Sequence, residues 1–152
     1  MGATHIVRAS RQRTFDAGLR LRLCGEHLHP LPNVLIVEDE PLVGQILHAL
    51  LTDHGYRPIG PAPTLVAAKE AIAEHRLSAA LLDIRLGGDD RSFEIAEILS
   101  ALRIPFAFLS SYSAALIPQK YRAVPLLPKP YATADVLAVL NHLWERGASD
   151  TA

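Results

Sequence analysis

Residues 34–40, with the sequence VLIVEDE, join four consecutive apolar residues to three acidic ones. A short run that is apolar throughout is typical of a parallel strand that is buried on both faces. Pro41 follows directly and suits the first turn of a helix. The apolar residues that should line one face of this helix are Leu42, Val43, Ile46, Leu47, Leu50 and Leu51. The segment therefore predicts a buried strand, an acidic turn and an amphipathic helix.

The alternation of strand and helix continues along the chain. Apolar runs predict further strands at residues 56–60, 79–84, 105–109 and 124–127. Pro58 places the first of these strands at an edge of the sheet. Helical patterns begin at Thr64, Ser92 and Thr133. The side chains that should face the core from the first and last of these helices are Val66, Ala67, Ala71, Ile72, Val136, Leu137, Leu140, Leu143 and Trp144. This order predicts a doubly wound α/β fold, in which a parallel sheet carries helices on both faces.

Residues 113–123 interrupt this regular pattern. Their apolar residues lack a helical spacing, and Pro118 falls among them. We therefore expect at most a short or irregular helix before the last strand of the sheet.

The 152 residues of the chain are enough for one domain, and the N-terminal segment differs in composition from the rest. In residues 1–31 the basic side chains outnumber Asp16 and Glu26, and Leu19, Leu21 and Leu23 alternate with arginines as a weak strand signal. Two interpretations remain open: a mobile or disordered extension, or a basic arm that docks on a partner or on the domain itself. The predicted division is an extension at 1–31, a domain at 32–147 and a tail at 148–152.

Composition excludes several classes of protein. The formal net charge of −1 argues against a general affinity for nucleic acid or for an anionic membrane. No apolar run approaches the roughly 20 residues that span a bilayer. Cys24 is the single cysteine and cannot form an internal disulfide, which fits a cytoplasmic location. Neither the P-loop motif G-x-x-x-x-G-K-S/T nor the dinucleotide-binding motif G-x-G-x-x-G occurs.

Charged and polar residues follow several of the predicted strands. In an open parallel sheet, ligands bind beyond the carboxyl ends of the strands, so these side chains should meet at one edge. The residues at those ends are Glu38, Asp39, Glu40, Asp83, Ser110 and Lys129. Crowded carboxylates repel one another unless a cation shares the site. Mg²⁺ is the natural cation, because it takes oxygen ligands and keeps waters that a phosphate can replace.

With Mg²⁺ bound, Asp83 becomes a plausible nucleophile for phosphorus, and the metal would neutralise charge on the transferring group. Lys129 could offer a point charge to an outer phosphate oxygen, and Ser110 a hydrogen bond. Glu40 precedes Pro41 and suits a helix start without touching a metal. The residues therefore predict an aspartyl-phosphate centre.

Four features of the chain together resemble bacterial two-component response-regulator receiver domains. They are residues 34–40, residues 81–88 with the sequence LLDIRLGG, Ser110, and the pair Lys129-Pro130. The resemblance covers about residues 33–146. It implies a flavodoxin-like sheet of five parallel strands in the order 2-1-3-4-5, and a cis peptide bond before Pro130. It also implies that Asp83 is phosphorylated, and that Mg²⁺ is held by Asp39, Asp83 and the main-chain carbonyl of Arg85, with Glu38 acting directly or through a water.

A second motif narrows the resemblance. Residues 105–112, with the sequence PFAFLSSY, resemble the Pro-Phe-x-Phe-Ala-Thr-Gly-Tyr signature of single-domain receivers found largely in alphaproteobacteria, although Leu109 and Ser111 depart from it. Leu126 stands where many receivers carry a switching aromatic residue, so the resemblance implies that Tyr112 takes that role. Tyr112, Leu126 and Pro130 are thus the expected switch and interaction residues.

The function that the resemblance implies is phosphorylation-gated signalling rather than enzymatic turnover. The expected phosphodonor is a sensor histidine kinase or a histidine phosphotransfer protein. No output domain is expected in this chain, so the expected output is contact with an unidentified protein, or use of the chain as a phosphate sink or shuttle; homodimerisation stays open. A scaffold that needs no phosphorylation is opposed by the complete set of charged residues. A phosphohydrolase commonly carries a second Asp two residues beyond its nucleophile, where this chain has Arg85.

Overall fold

The computed structural model describes residues 13–14, 20–24, 27–111 and 114–149. The chain divides into two compact units, Met1–Leu31 and Pro32–Ala152. In the first unit, the strands β1 (Arg13–Thr14), β2 (Arg20–Cys24) and β3 (His27–Pro30) form an antiparallel sheet in that order. Strand β2 coincides with the alternation of leucine and arginine. That residues 1–31 form a basic extension of the domain stays a prediction.

The second unit is built on a five-stranded parallel sheet. Its strands are β4 (Asn33–Val37), β5 (Arg57–Ala62), β6 (Ala79–Asp83), β7 (Phe106–Ser110) and β8 (Leu126–Pro128), in the order β5-β4-β6-β7-β8. Counted within this unit, the order is 2-1-3-4-5, as the resemblance implied, and the strand that contains Pro58 lies at an edge, as predicted. The helices are α1 (Pro41–Asp53), α2 (Leu65–Glu74), α3 (Phe93–Ala101) and α4 (Thr133–Ser149). None of the helices in the described ranges has the length and apolar character to cross a membrane.

The core lies in two layers, one on each face of the sheet. Leu35 and Val37 of β4 belong to one apolar cluster, to which α2 and α3 also contribute. Val34 and Ile36 point to the opposite face and pack with residues of α1 and α4. Successive side chains of a strand alternate between faces, so a strand covered on both sides must be apolar throughout. This is why residues 34–37 carry no polar side chain.

Four residues that were predicted to face the core are exposed: Leu42, Ile46, Val66 and Trp144. The buried stripe of α1 is narrow and consists of Gly44, Leu47 and Leu51. Ile46 lies about 100° around the helix from Leu47, and Trp144 lies about 100° from Leu143, so both point away from the buried face. The other predicted residues of α4 face inward, although Leu137 is only half-buried.

The segment between β7 and β8 is irregular, as predicted. It contains two single turns of 3₁₀ helix, Ala114–Leu116 and Gln119–Tyr121, and Pro118 immediately precedes the second. The backbone N–H of Tyr121 donates to the carbonyl of Pro118 at 2.9 Å. Residues 112 and 113 lie outside the described residues.

Four aromatic rings pack together beneath this segment, a cluster that the sequence pattern did not predict. The fully buried ring of Phe108 lies with its centroid 5.7 Å from Phe93, 5.5 Å from Phe106 and 5.8 Å from Tyr121. All three contacts have the edge-to-face geometry that aromatic pairs favour. The cluster joins α3, β7 and the second 3₁₀ turn, and so supports the strand that ends at Ser110.

Helix α3 ends in a Schellman motif whose left-handed residue is Arg103, with φ of 57°. The N–H of Ile104 donates to the carbonyl of Leu99 at 2.9 Å, and the N–H of Arg103 donates to that of Ser100 at 3.1 Å. The left-handed conformation costs an L-residue about 1 kcal/mol. Glycine avoids that cost but loses more chain entropy on folding.

We therefore expect Arg103→Gly to raise the free energy of unfolding by about 0.5 kcal/mol, measured by urea denaturation. Leu102→Gly is the matched control, because Leu102 is exposed and has an ordinary φ of −83°. Glycine there should lower the stability. A loss of stability in Arg103→Gly as large as in Leu102→Gly would contradict the prediction.

Candidate functional site

Charged residues from three strands meet at the carboxyl edge of the parallel sheet. Glu38 and Asp39 follow β4 directly, Asp83 is the last residue of β6, and Lys129 follows β8. Strands β4 and β6 are neighbours in parallel register, so their carboxyl ends coincide. One carboxylate oxygen from each of the three acids lies within 4.8 Å of the others. The residues predicted to share a site from the strand ends are therefore adjacent in space.

Lys129 joins two of these acids. Its Nζ donates to Oε2 of Glu38 and to Oδ2 of Asp83, both at 2.7 Å. The side chains of Lys129, Glu38 and Asp83 keep 17%, 0% and 13% of their exposure, so the group is largely removed from water. The backbone N–H of Lys129 donates to the carbonyl of Ser110 at 2.8 Å, and the peptide bond to Pro130 is cis, as the resemblance implied.

Each of the three acids also accepts a hydrogen bond from a backbone N–H. The pairs are Glu40 N–H to Glu38 Oε1 at 3.1 Å, Arg85 N–H to Asp83 Oδ1 at 3.3 Å, and Gly87 N–H to Asp39 Oδ2 at 2.9 Å. Backbone donors have no rotatable side chain, so they hold a carboxylate in one orientation. The carboxylates are thus oriented before any ligand arrives.

Burial, hydrogen bonds and neighbouring charges shift the pKa values of Glu38 and Lys129. Burial raises the pKa of Glu38, and the negative charge of Asp83 adds to this, while hydrogen bonds from Lys129 and Glu40 oppose it only in part. Burial by itself lowers the pKa of Lys129, but the hydrogen bonds to Asp83 and Glu38 outweigh it and leave this pKa above its usual 10.5. The ammonium therefore stays charged, while the buried carboxyl of Glu38 ionises less readily than an exposed one.

The donor set fits a hard divalent cation. When Glu38, Asp39 and Asp83 are all ionised, they carry three negative charges, and the ammonium of Lys129 bonds to Glu38 and Asp83. Carboxylate oxygens at this spacing are ligands that suit Mg²⁺. A solvent-open cavity of about 460 Å³ gives access to the acids, and its wall also includes Glu40, Arg85, Gly87, Gly88 and Ser111.

Comparison with known proteins decides the family. The family model described as "Response regulator receiver domain" matches residues 34–141. The chain belongs to this family. Receiver domains are signalling domains of the response regulators of two-component systems, and the sheet order and the acidic edge of this chain agree with that membership.

Relatives of this receiver domain include proteins of known structure. The solution structure of SdrG from Sphingomonas melonis Fr1 is 34% identical, with a TM-score of 0.67, over 74% of this chain and 96% of that one. The receiver domain of PhyR from Erythrobacter litoralis is 30% identical, with a TM-score of 0.66, over 74% of this chain and 89% of that one. The phyllosphere-induced regulator PhyR of Methylorubrum extorquens is 29% identical over 71% of this chain and 42% of its own length. The chain spans less than half the length of the curated relatives that it matches.

Ser110 of this receiver domain lies at the end of β7 and is buried. Its neighbour Ser111 is exposed and forms part of the wall of the open cavity. A hydrogen bond from the Ser110 hydroxyl to a phosphoryl oxygen stays a prediction. The role of the Arg85 carbonyl as a metal ligand also stays a prediction; the Arg85 side chain is exposed and reaches the carbonyl of Gly88 at 3.5 Å.

The structure describes two of the three residues that were expected to take part in the switch. Leu126 is half-buried against the apolar cluster that includes the aromatic rings, and Pro130 is exposed. Tyr112 lies outside the described residues. Gly87 was not predicted as a site residue, although its backbone contacts Asp39. A backbone donor leaves no mark in a pattern of side chains, so the two adjacent glycines after the acidic strand end were its only sequence signal.

Proposed function

We propose that this receiver domain is a phosphoacceptor response regulator in which Asp83 is phosphorylated in a Mg²⁺-dependent reaction. The observation that carries the proposal is the position of Lys129 Nζ, 2.7 Å from oxygens of both Glu38 and Asp83, beside the carboxylate of Asp39. A nucleophile, a cation for the incoming phosphoryl group and acids for a metal are thereby gathered in one open cavity.

The reaction transfers a phosphoryl group to a carboxylate oxygen of Asp83. The O–P bond to Asp83 forms as the P–N bond of a phosphohistidine, or the P–O bond of acetyl phosphate, breaks. The histidine leaving group keeps the electron pair and carries a proton as neutral imidazole, whereas acetate keeps the electron pair and leaves as the carboxylate anion. Mg²⁺, when held by Glu38, Asp39, Asp83 and the Arg85 carbonyl, supplies positive charge that offsets the charge on the transferring group. Lys129 is supported as the partner of a phosphoryl oxygen, because its ammonium already contacts Asp83.

Phosphorylation would change the surface around β7 and β8. Phosphorylation of Asp83 adds negative charge beside Lys129, and the ammonium would exchange its bond to Glu38 for bonds to the phosphoryl group. The backbone of Lys129 is bonded to Ser110, so a shift of Lys129 is transmitted to both strand ends. Half-buried Leu126 is the first residue of β8 and pairs with Phe108 of β7. The expected output is therefore a changed surface around β7 and β8, produced by the change of charge at Asp83.

The proposed partners follow from membership of the receiver family. The phosphodonor is a sensor histidine kinase or a histidine phosphotransfer protein in the cytoplasm. The output is a contact with another protein, or transfer of the phosphoryl group in a sink or shuttle role. Ser110 is proposed to bond a phosphoryl oxygen, and Tyr112 and Pro130 to take part in the changed surface.

The test is phosphorylation of the purified chain by acetyl phosphate and, in parallel, by phosphoramidate, followed on a phosphate-affinity gel. We expect a shifted band when Mg²⁺ is present and none when EDTA removes it, because the acids then repel the incoming group. Addition of excess Mg²⁺ after EDTA should restore the band. A band that forms equally well in EDTA, or no band with either donor in Mg²⁺, would contradict the proposed function.

A further inference from the structure

We propose that Gly87 is a positioning residue for the metal site, whose backbone N–H holds the carboxylate of Asp39 toward Glu38 and Asp83. The inference rests on the proposed function, because it concerns the same Mg²⁺ site. The contact is a hydrogen bond of 2.9 Å from Gly87 N–H to Asp39 Oδ2. The two residues are 48 positions apart in sequence, so this bond ties the loop after β6 to the turn after β4.

Asp39 depends on this bond more than its neighbours depend on any one donor. Glu38 and Asp83 are each held by Lys129 and by a backbone N–H. For Asp39, the Gly87 N–H is the one donor found in the part of the chain that the structure describes. A carboxylate without that donor would sample other rotamers, and metal binding would have to select one of them.

The loop aims this N–H through its own backbone. Gly87 and Gly88 both lie in the left-handed region, with φ of 53° and 54°. The loop closes on itself because Leu86 N–H donates to the carbonyl of Asp90, and Asp90 N–H donates to that of Gly87, both at 3.2 Å. Leu86 is buried in the core and anchors the loop. Two successive left-handed residues suit glycine and strain other residues, so the direction of the N–H depends on this glycine pair.

Metal binding and loop closure are therefore coupled. A loop that orients Asp39 lowers the cost of assembling the ligand set, and a bound ion keeps Asp39 where Gly87 N–H can reach it. By linkage, each event favours the other by the same factor. Mg²⁺ should consequently protect the Gly87 amide from exchange with solvent.

The chain offers a matched control in Gly88. A Cβ on Gly88 would meet nothing within 4 Å, and its φ is nearly that of Gly87. Gly88→Ala therefore strains the same loop without removing the donor to Asp39. Gly87→Pro removes the N–H, and because proline fixes φ at about −65° it also strains residue 87, whose φ is 53°. Loss of the donor is separated from this strain by the amide exchange of Gly87 in Asp39→Ala, where the loop keeps its own residues.

The experiment measures Mg²⁺ affinity by isothermal titration calorimetry for the whole chain and these two variants, with urea denaturation of each in EDTA. Outer contacts of metal ligands typically change affinity by 10- to 100-fold, so we expect Gly87→Pro to weaken Mg²⁺ binding at least about tenfold. Gly88→Ala should lower the urea midpoint yet stay within about threefold of the original affinity. Unchanged affinity in Gly87→Pro, or an equal loss in Gly88→Ala, overturns the inference.

A second measurement decides the matter if Gly87→Pro does not fold. Amide hydrogen exchange of Gly87, followed by NMR, should be slow in the original chain, slower with Mg²⁺, and fast in Asp39→Ala. Exchange that is the same with and without Asp39 overturns the inference. If the original chain does not bind Mg²⁺, both the proposed function and this inference are overturned. If it binds Mg²⁺ and Gly87→Pro binds with the same affinity, only the inference is overturned.

Discussion

We expect Asp83→Asn to abolish the phosphorylation of this receiver domain while the fold is retained. The amide of asparagine cannot serve as the carboxylate nucleophile that forms the O–P bond. The shape of the side chain is kept, and the substitution removes a negative charge that raises the pKa of buried Glu38. We therefore expect no shifted band on a phosphate-affinity gel with acetyl phosphate and Mg²⁺, and a free energy of unfolding no lower than that of the original chain.

Asp89 and Asp90 provide the matched control for this prediction. Both are exposed and lie in the loop that contributes Gly87 and Gly88 to the cavity wall, yet neither is part of the acid cluster. Asp89→Asn and Asp90→Asn should be phosphorylated like the original chain. A shifted band that persists in Asp83→Asn would identify another acceptor and contradict the assignment.

We expect Lys129→Met to produce the second large effect, a loss of stability that depends on the metal. Glu38 is fully buried, and removal of one partner from a buried ion pair leaves the other charge uncompensated. We expect a loss of about 3 kcal/mol in the free energy of unfolding in EDTA, at the lower end of the range for such pairs because Lys129 keeps some contact with solvent. Saturating Mg²⁺ should reduce the loss, since it supplies positive charge to the same carboxylates. Urea denaturation followed by circular dichroism measures both values.

Two controls accompany this experiment: the variant Lys129→Arg, and the free energy of unfolding measured at alkaline pH. Arginine keeps the charge, so it should lose less stability than methionine. The pKa of Lys129 is raised in the folded state, so its contribution is complete below its usual 10.5 and is lost as pH rises through the folded value. Burial also raises the pKa of Tyr131, which makes both chains less stable above pH 10. A difference between the original chain and Lys129→Met that does not shrink above pH 10.5 would contradict the ion-pair explanation.

Much of the site was predictable because a parallel sheet brings distant residues together by a simple rule. Asp39, Asp83 and Lys129 are far apart in sequence, but each stands where an apolar strand ends. The carboxyl ends of parallel strands share an edge, so the positions of the acids and the lysine follow once the strands are recognised. The irregular segment before β8 was equally predictable, because the effect of Pro118 and of poor apolar spacing is local.

The extent of burial on the helices was not predictable in the same way. An apolar pattern indicates which face of a helix can be buried, but another element must cover that face. Leu42 and Ile46 fit the pattern of α1 and remain exposed, and Trp144 is half exposed at the edge of the stripe on α4. The aromatic cluster around Phe108 likewise depends on how α3 and the second 3₁₀ turn meet β7.

The order of strands and helices, the acidic edge and the residues that could carry phosphoryl chemistry could be inferred from the residue pattern, because they follow from local periodicity and from the geometry of parallel strands. The folded chain was needed to show that Lys129 bridges Glu38 and Asp83, and that the Gly87 N–H reaches Asp39. The direction of a flexible side chain or of a loop N–H is set by the backbone angles and neighbours that meet at that point. No residue pattern encodes such a direction on its own.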